Sequence, residues 1–195
     1  SNRFNIARSG QPVAVLTLLR PAYRLGETII GTIDFVTPLP SRDESKQAPT
    51  YSVNLELESA ERIDQSLALR SSSSIQRVTR KVHATLRENS LFAKSISFSM
   101  AIPAQATPTF ETTGVSLLWR LRVEFTTERQ QMPWQEEGPE LDGELLEEIG
   151  RDERGANLLA KERLMAETFE IAVPLRVYGA QGVDGLGSDP EALII

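Results

Sequence analysis

Residues 116–127 constrain this chain more than any other stretch. Leu117, Trp119, Leu121, Val123 and Phe125 occupy every second position, with Ser116, Leu118, Arg120, Arg122 and Glu124 between them. Such period-2 alternation marks a β-strand with one face buried and the other in water. Only the first set can line a core, so Trp119, Leu121 and Phe125 are the expected core residues. Tyr51, Val53, Leu55 and Leu57 repeat the pattern, with Asn54, Glu56 and Glu58 turned outward. The same reading, bounded by Gly, Pro and Ser clusters, places strands at 4–8, 13–19, 28–35, 51–63, 77–87, 94–101, 116–127 and 167–178. Strands following one another with few intervening helices predict an all-β, antiparallel β-sandwich. Gly10, Gly26 and Gly114 fall in its turns.

A chain of 195 residues suits one domain with its own core. We assign residues 3–179 to the sandwich, 128–166 to an acidic insertion within it, and 180–195 to a flexible tail. The opening Ser1 and Asn2, without a methionine, read as the start of an excised fragment. The insertion carries eleven acids against five bases, a net −6 that equals the charge of the whole chain. The remainder is therefore neutral, and direct binding to nucleic acid or to anionic lipid is not expected. No apolar run approaches the roughly 20 residues that span a bilayer. Within the insertion, Pro139 stands at a possible helix start and Gly150 at a stop, with Leu141, Leu145 and Ile149 at i, i+4 and i+8. Two readings stay open: a disordered acidic loop, or a short helix that orders on a partner through those three residues.

The chain holds no cysteine and a single histidine, His83. Disulfides, thiolate nucleophiles and histidine-rich metal sites are excluded together, and the absence of cysteine leans towards a reducing, cytoplasmic setting. No Gly-x-Ser-x-Gly, P-loop, Gly-x-Gly-x-x-Gly or His-Glu-x-x-His occurs. The expectation is thus a binding protein without catalytic residues, metal or cofactor. If 51–63 and 77–87 form a hairpin over the serine run 71–74, the apolar faces set Leu57 opposite Val82, Glu58 opposite Lys81 and Glu56 opposite His83. His83 then reads as a surface pairing residue. Arg77, Arg80 and Lys81 make a small basic group, in which Arg77 and Lys81 are candidates to receive an acidic partner. Arg80 shares a face with Val78 and Val82, so it stands either at a bulge or paired internally, and of the two an ion pair across the sandwich is expected.

Tyr23, Arg24, Leu25, Gly26 and Glu27, followed by Ile29 and Gly31, resemble the Tyr-x-x-Gly-Glu-x-ϕ-x-Gly segment that opens arrestin-like (immunoglobulin-like) domains. Ile102 with Pro103, Thr107 to Phe110, and the alternating strand after Val115 are similar to later parts of that pattern. Together with Phe4 to Ala7, Thr79 with Arg80 and His83, Trp119 to Leu121, and Pro174 to Tyr178, they resemble the carboxyl-terminal half of the Rgp-type subunits of Ric–Rgp guanine-nucleotide exchange complexes. The resemblance covers residues 3–127 and 167–179. It implies an arrestin-like sandwich in a cytosolic complex recruited to Golgi membranes. The implied partners are a Ric-type subunit and, through the complex, a Rab-six class GTPase whose GDP release is promoted. An arrestin-fold trafficking adaptor, serving cargo in a retromer-like way or a ubiquitin ligase, is the alternative that the same resemblance leaves open.

Overall fold

The computed structural model describes residues 2–36, 50–91, 93–128, 146–153, 155–160 and 166–180. Its centre is the long alternating strand β9 (Val115–Glu128), whose inward residues Trp119, Leu121, Val123 and Phe125 are all buried. Elements preceding it are β1 (Arg3–Arg8), β2 (Gln11–Leu18), β3 (Ala22–Arg24), β4 (Thr28–Phe35), β5 (Thr50–Ile63), α1 (Ser72–Thr79), β6 (Lys81–Asn89), β7 (Ser95–Ala101) and β8 (Phe110–Glu111). After it come β10 (Leu146–Asp152), β11 (Gly155–Ala160) and β12 (Ala166–Tyr178).

Two sheets enclose one core. The smaller is antiparallel in the order β1-β2-β4-β7. The larger runs β3-β12-β9-β5-β6, with β8 beside β9. Its pairs are antiparallel except β3 against β12, which are parallel. Leu16, Ile29, Ile33, Phe98 and Met100 of the first sheet join Leu55, Leu57, Trp119, Leu121, Val173, Leu175 and Val177 of the second in a single buried cluster. Alternation along each strand explains this arrangement, because every second side chain reaches the shared interior.

The segment from Tyr23 to Gly31 shows why its residue types are needed. Tyr23 is buried in the core. Gly26 turns at φ +85°, where a Cβ is disfavoured, and its N–H donates to Ile102 O at 3.0 Å. Glu27 accepts the Arg24 main-chain N–H at 2.8 Å, and that bond holds its carboxyl below the usual range. Gly31 packs so closely that a Cβ would lie 2.6 Å from Phe98 Cζ and 2.8 Å from Thr17 O. Gly31→Ala is therefore expected to cost about 1–3 kcal/mol by overpacking. An unchanged urea midpoint would show that Phe98 gives way freely.

Three local expectations change. Where a strand is expected from residue 77, the chain forms α1 and enters β6 only at Lys81. Ser71 caps the helix, its hydroxyl accepting the Ser74 N–H at 3.3 Å, and Ile75 seats the helix against the outer side of β5. Thr79 closes it by donating to Ile75 O at 2.9 Å and accepting the Glu61 N–H at 3.0 Å. The β-branched pair Val78 and Thr79 favours a strand locally, but the cap and the tertiary seat of Ile75 outweigh that preference.

The hairpin register also differs. Leu57 pairs with Ala84 and Glu58 with Val82, so His83 is the extra residue of a bulge, and Ser59 rather than Glu58 faces Lys81. Glu56 lies opposite Thr85. A bulge lets one strand keep its apolar face inward while an additional residue is accommodated.

Within the acidic insertion, the described residues form a β10–β11 hairpin, not the end of a helix. Gly155, at φ +132°, stands where β11 begins, and Ile149 is the bulged residue between the Glu148–Leu158 and Gly150–Asn157 pairs. The backbone bonds of 146–152 are met by a strand that follows in sequence, which a local helical seam does not anticipate. Leu141 and Leu145 lie outside the described residues, as do residues 181–195 of the expected tail. Among the described residues, no helix is long and apolar enough to cross a membrane.

Candidate partner-binding site

The outward residues of the large sheet form a charged face. Glu56 and Glu58 project from β5, Arg120 and Arg122 from β9, and Glu170 from β12, on the side opposite Leu55, Leu57 and Leu121. Glu58 pairs with both Arg80 and Arg120, and Arg80 also reaches Glu56. Arg122 bridges Glu56 at 3.2 Å and Glu170 at 2.7 Å. The hydrogen bonding it donates to Glu170 is the chief reason the Arg122 guanidinium is held even more firmly protonated than usual.

Helix α1 lies over one end of this face. The Glu58 side chain is 0% exposed, although its strand position points away from the core. Arg120 completes the seat by donating to Gln76 Oε1 of the helix at 3.4 Å. Arg80 thus forms an ion pair, but along the outer face beneath the helix, not across the sandwich. Its place immediately after the helix, as the C-cap, turns its side chain back over β5. The network binds α1 to the sheet.

His83 sits elsewhere than expected. Its ring stacks on Trp119, with centroids 4.3 Å apart and planes 18° from parallel, and Nε2 lies 2.8 Å from Ser59 Oγ. Burial, with a smaller contribution from Lys81, depresses its pKa. The bulge carries it inward, away from Glu56, so it packs against the edge of the core instead of pairing on the surface.

The remaining candidates separate into two regions. Arg77 on α1 and Lys81 at the start of β6 are both exposed, and neither forms an ion pair among the described residues. Ile149 is 63% exposed on β10. Beside it on β11, Leu158 and Leu159 are also exposed, and as successive strand residues they point to opposite faces of the hairpin. Sequence reasoning missed these two. The available signal is the Leu-Leu pair a few residues beyond Gly155, which reads as ambiguous without the turn.

Relatives of the sequence place its first 128 residues in a family. A family model described as Rgp1 matches residues 1–128, which span β1 through β9. RAB6A-GEF complex partner protein 2 of Homo sapiens is 32% identical over 128 residues, covering 65% of this chain and 31% of that protein. The protein of the same name from Bos taurus is 33% identical over 128 residues, covering 65% of this chain and 30% of its own length. The chain therefore matches less than a third of the length of these curated relatives. With the family model covering well over half of its residues, this chain belongs to the Rgp1 family.

Proposed function

We propose that this chain is a non-catalytic, arrestin-like interaction domain of a Rab guanine-nucleotide exchange complex, acting beside a Ric-type subunit at Golgi membranes on a Rab-six class GTPase. Membership of the Rgp1 family carries the reading, and the name its relatives bear, a complex partner in a RAB6A-GEF complex, agrees with it. Exchange needs no nucleophile or general base. It requires that the complex bind the nucleotide-free GTPase more tightly than the GDP-bound form, by displacing the segments that hold nucleotide and magnesium. A domain in this task contributes surface and rigidity.

The β10–β11 hairpin supports a protein-binding role. It offers Ile149, Leu158 and Leu159 to solvent among Glu148, Asp152 and Glu153. A two-stranded hairpin with apolar side chains on both faces is marginal alone and gains stability when a partner covers it. We assign the contact with the Ric-type subunit or the GTPase to this hairpin.

The test is a pull-down with a Ric-type subunit and a Rab-six class GTPase, together with release of fluorescent GDP from the GTPase. The chain is expected to bind and to release no nucleotide alone. The double substitution Ile149→Ser, Leu158→Ser should weaken binding by about tenfold or more, as central apolar contacts do, with no change in melting temperature. Unaltered affinity would remove the hairpin from the interface. Failure to bind either protein would end the larger proposal.

A further inference from the structure

The connection from β5 to β6 differs in charge from the rest of the molecule. Residues 62–81 hold five bases, Arg62, Arg70, Arg77, Arg80 and Lys81, against the single acid Asp64, in a chain whose net charge is −6. Arg80 is neutralised by Glu56 and Glu58. The carboxylate of Asp64 is engaged by the Ser66 N–H at 2.8 Å and by the Ser66 hydroxyl. Arg62, Arg70, Arg77 and Lys81 remain exposed, with no ion pair among the described residues. The neighbouring acids are Glu61, half-buried with its strand position on the opposite face from Arg62, and Glu111, exposed one strand beyond Ser116.

The same connection carries apolar side chains into water. Leu69 is 101% exposed, Leu67 65%, Val78 62% and Val82 42%. Leu69 and Leu67 precede α1, and Val78 and Val82 flank its end, so cations and apolar tips alternate along one excursion of the chain. On the β10–β11 hairpin, by contrast, the exposed apolar residues stand among carboxylates.

We infer that this β5–β6 connection is a docking surface for an anionic lipid bilayer, with Leu67 and Leu69 entering the headgroup–acyl boundary and Arg70, Arg77 and Lys81 contacting the headgroup charge. Charge complementarity and the full exposure of Leu69 favour a bilayer. An acidic polypeptide would be expected to extend the β6 edge, yet that edge opens on Lys81 and is bulged at His83, two features that resist strand addition. A planar anionic surface requires no free edge, only apolar tips and cations at the same level. The neutral average of the sequence outside the insertion conceals the surface, because its bases are offset by acids elsewhere in the fold.

The experiment is co-sedimentation of the full chain at low ionic strength with vesicles of phosphatidylcholine alone and with about 30% phosphatidylserine, a strongly anionic composition. Binding is expected only to the anionic vesicles. Each cation at such a surface contributes about fivefold in partitioning, so Arg70→Ala, Arg77→Ala, Lys81→Ala together should weaken binding by about 100-fold. Leu67→Ser with Leu69→Ser should weaken it by about tenfold through loss of apolar insertion. Circular dichroism melting of both variants should match the parent, since the altered side chains are exposed. Equal binding to neutral vesicles, no binding to anionic ones, or full binding by the triple variant would overturn the inference. Binding to polyglutamate without binding to vesicles would overturn it too, and would identify an acidic polypeptide as the occupant.

Discussion

Replacing Trp119 with alanine is expected to lower the free energy of unfolding by about 3–5 kcal/mol, the range for removing a large aromatic from a packed core. Trp119 is buried between the two sheets, and its indole does three things at once. It fills the interior, it stacks on His83 at 4.3 Å, and its Nε1–H donates to Thr107 O at 2.9 Å. Alanine leaves a cavity, frees the His83 ring from its stack and strands the carbonyl of Thr107. Trp119→Phe keeps most of the apolar volume and loses the hydrogen bond, so it should cost substantially less. Urea denaturation followed by far-ultraviolet circular dichroism separates the two. A loss below about 1 kcal/mol for the alanine variant would mean that the interior closes over the gap, contrary to the usual cost of cavities. Because folded domains are stable by only about 5–15 kcal/mol, the alanine variant should be poised near unfolding at physiological temperature.

The second large effect belongs to Glu58. Its carboxylate is 0% exposed and lies between Arg80 and Arg120, whose side chains are 30% and 31% exposed. Glu58→Ala should destabilise the fold by about 3 kcal/mol, towards the lower end of the range for breaking a buried pair. The lower end applies because both arginines can turn part-way into water once unpaired. Replacing Glu58 with leucine and both arginines with methionine should cost less than the single substitution, since no charge is then left without a partner at Glu58. If the triple variant is the less stable of the two, the ion pairs stabilise the fold beyond offsetting the burial of Glu58. Amide exchange in residues 72–79 should rise in Glu58→Ala, because Arg120 also holds Gln76 of α1.

These two residues also separate what is legible in the sequence from what is not. Trp119 announces itself: its neighbours alternate so strictly that the face it shares with Leu121, Val123 and Phe125 must line the core. Glu58 obeys the same alternation and reads as solvated, because alternation assigns a face and says nothing of what covers it. The cover is α1, formed from a serine-rich run that looks like a hairpin loop. Nor is the His83 bulge written in local pattern. A bulge changes the register by one residue, and here it leaves Ala84 and Leu86 against the core while the His83 imidazole stacks on Trp119.

The candidate surfaces divide in the same way. Arg77 and Lys81 are visible in the sequence as bases, but only the fold shows that Arg80 takes both Glu56 and Glu58 while Arg77 and Lys81 form no ion pair among the described residues. Ile149 is visible as an apolar residue in an acidic stretch, and only pairing with β11 decides that it stands on a strand beside Leu158 and Leu159.

By itself, the sequence determined that this chain is built of strands with one buried face, which residues of β5 and β9 line the core, and, through its motifs, its kinship with the Rgp1 family. These are properties of local periodicity and residue order, which survive any change in what packs where. Tertiary structure alone decided the seat of α1, the burial of Glu58, the inward turn of His83 and the exposure of the bases between β5 and β6. Each depends on which distant side chain competes for a charge, a ring or a buried place, and that competition exists only once the sheets have closed on one another.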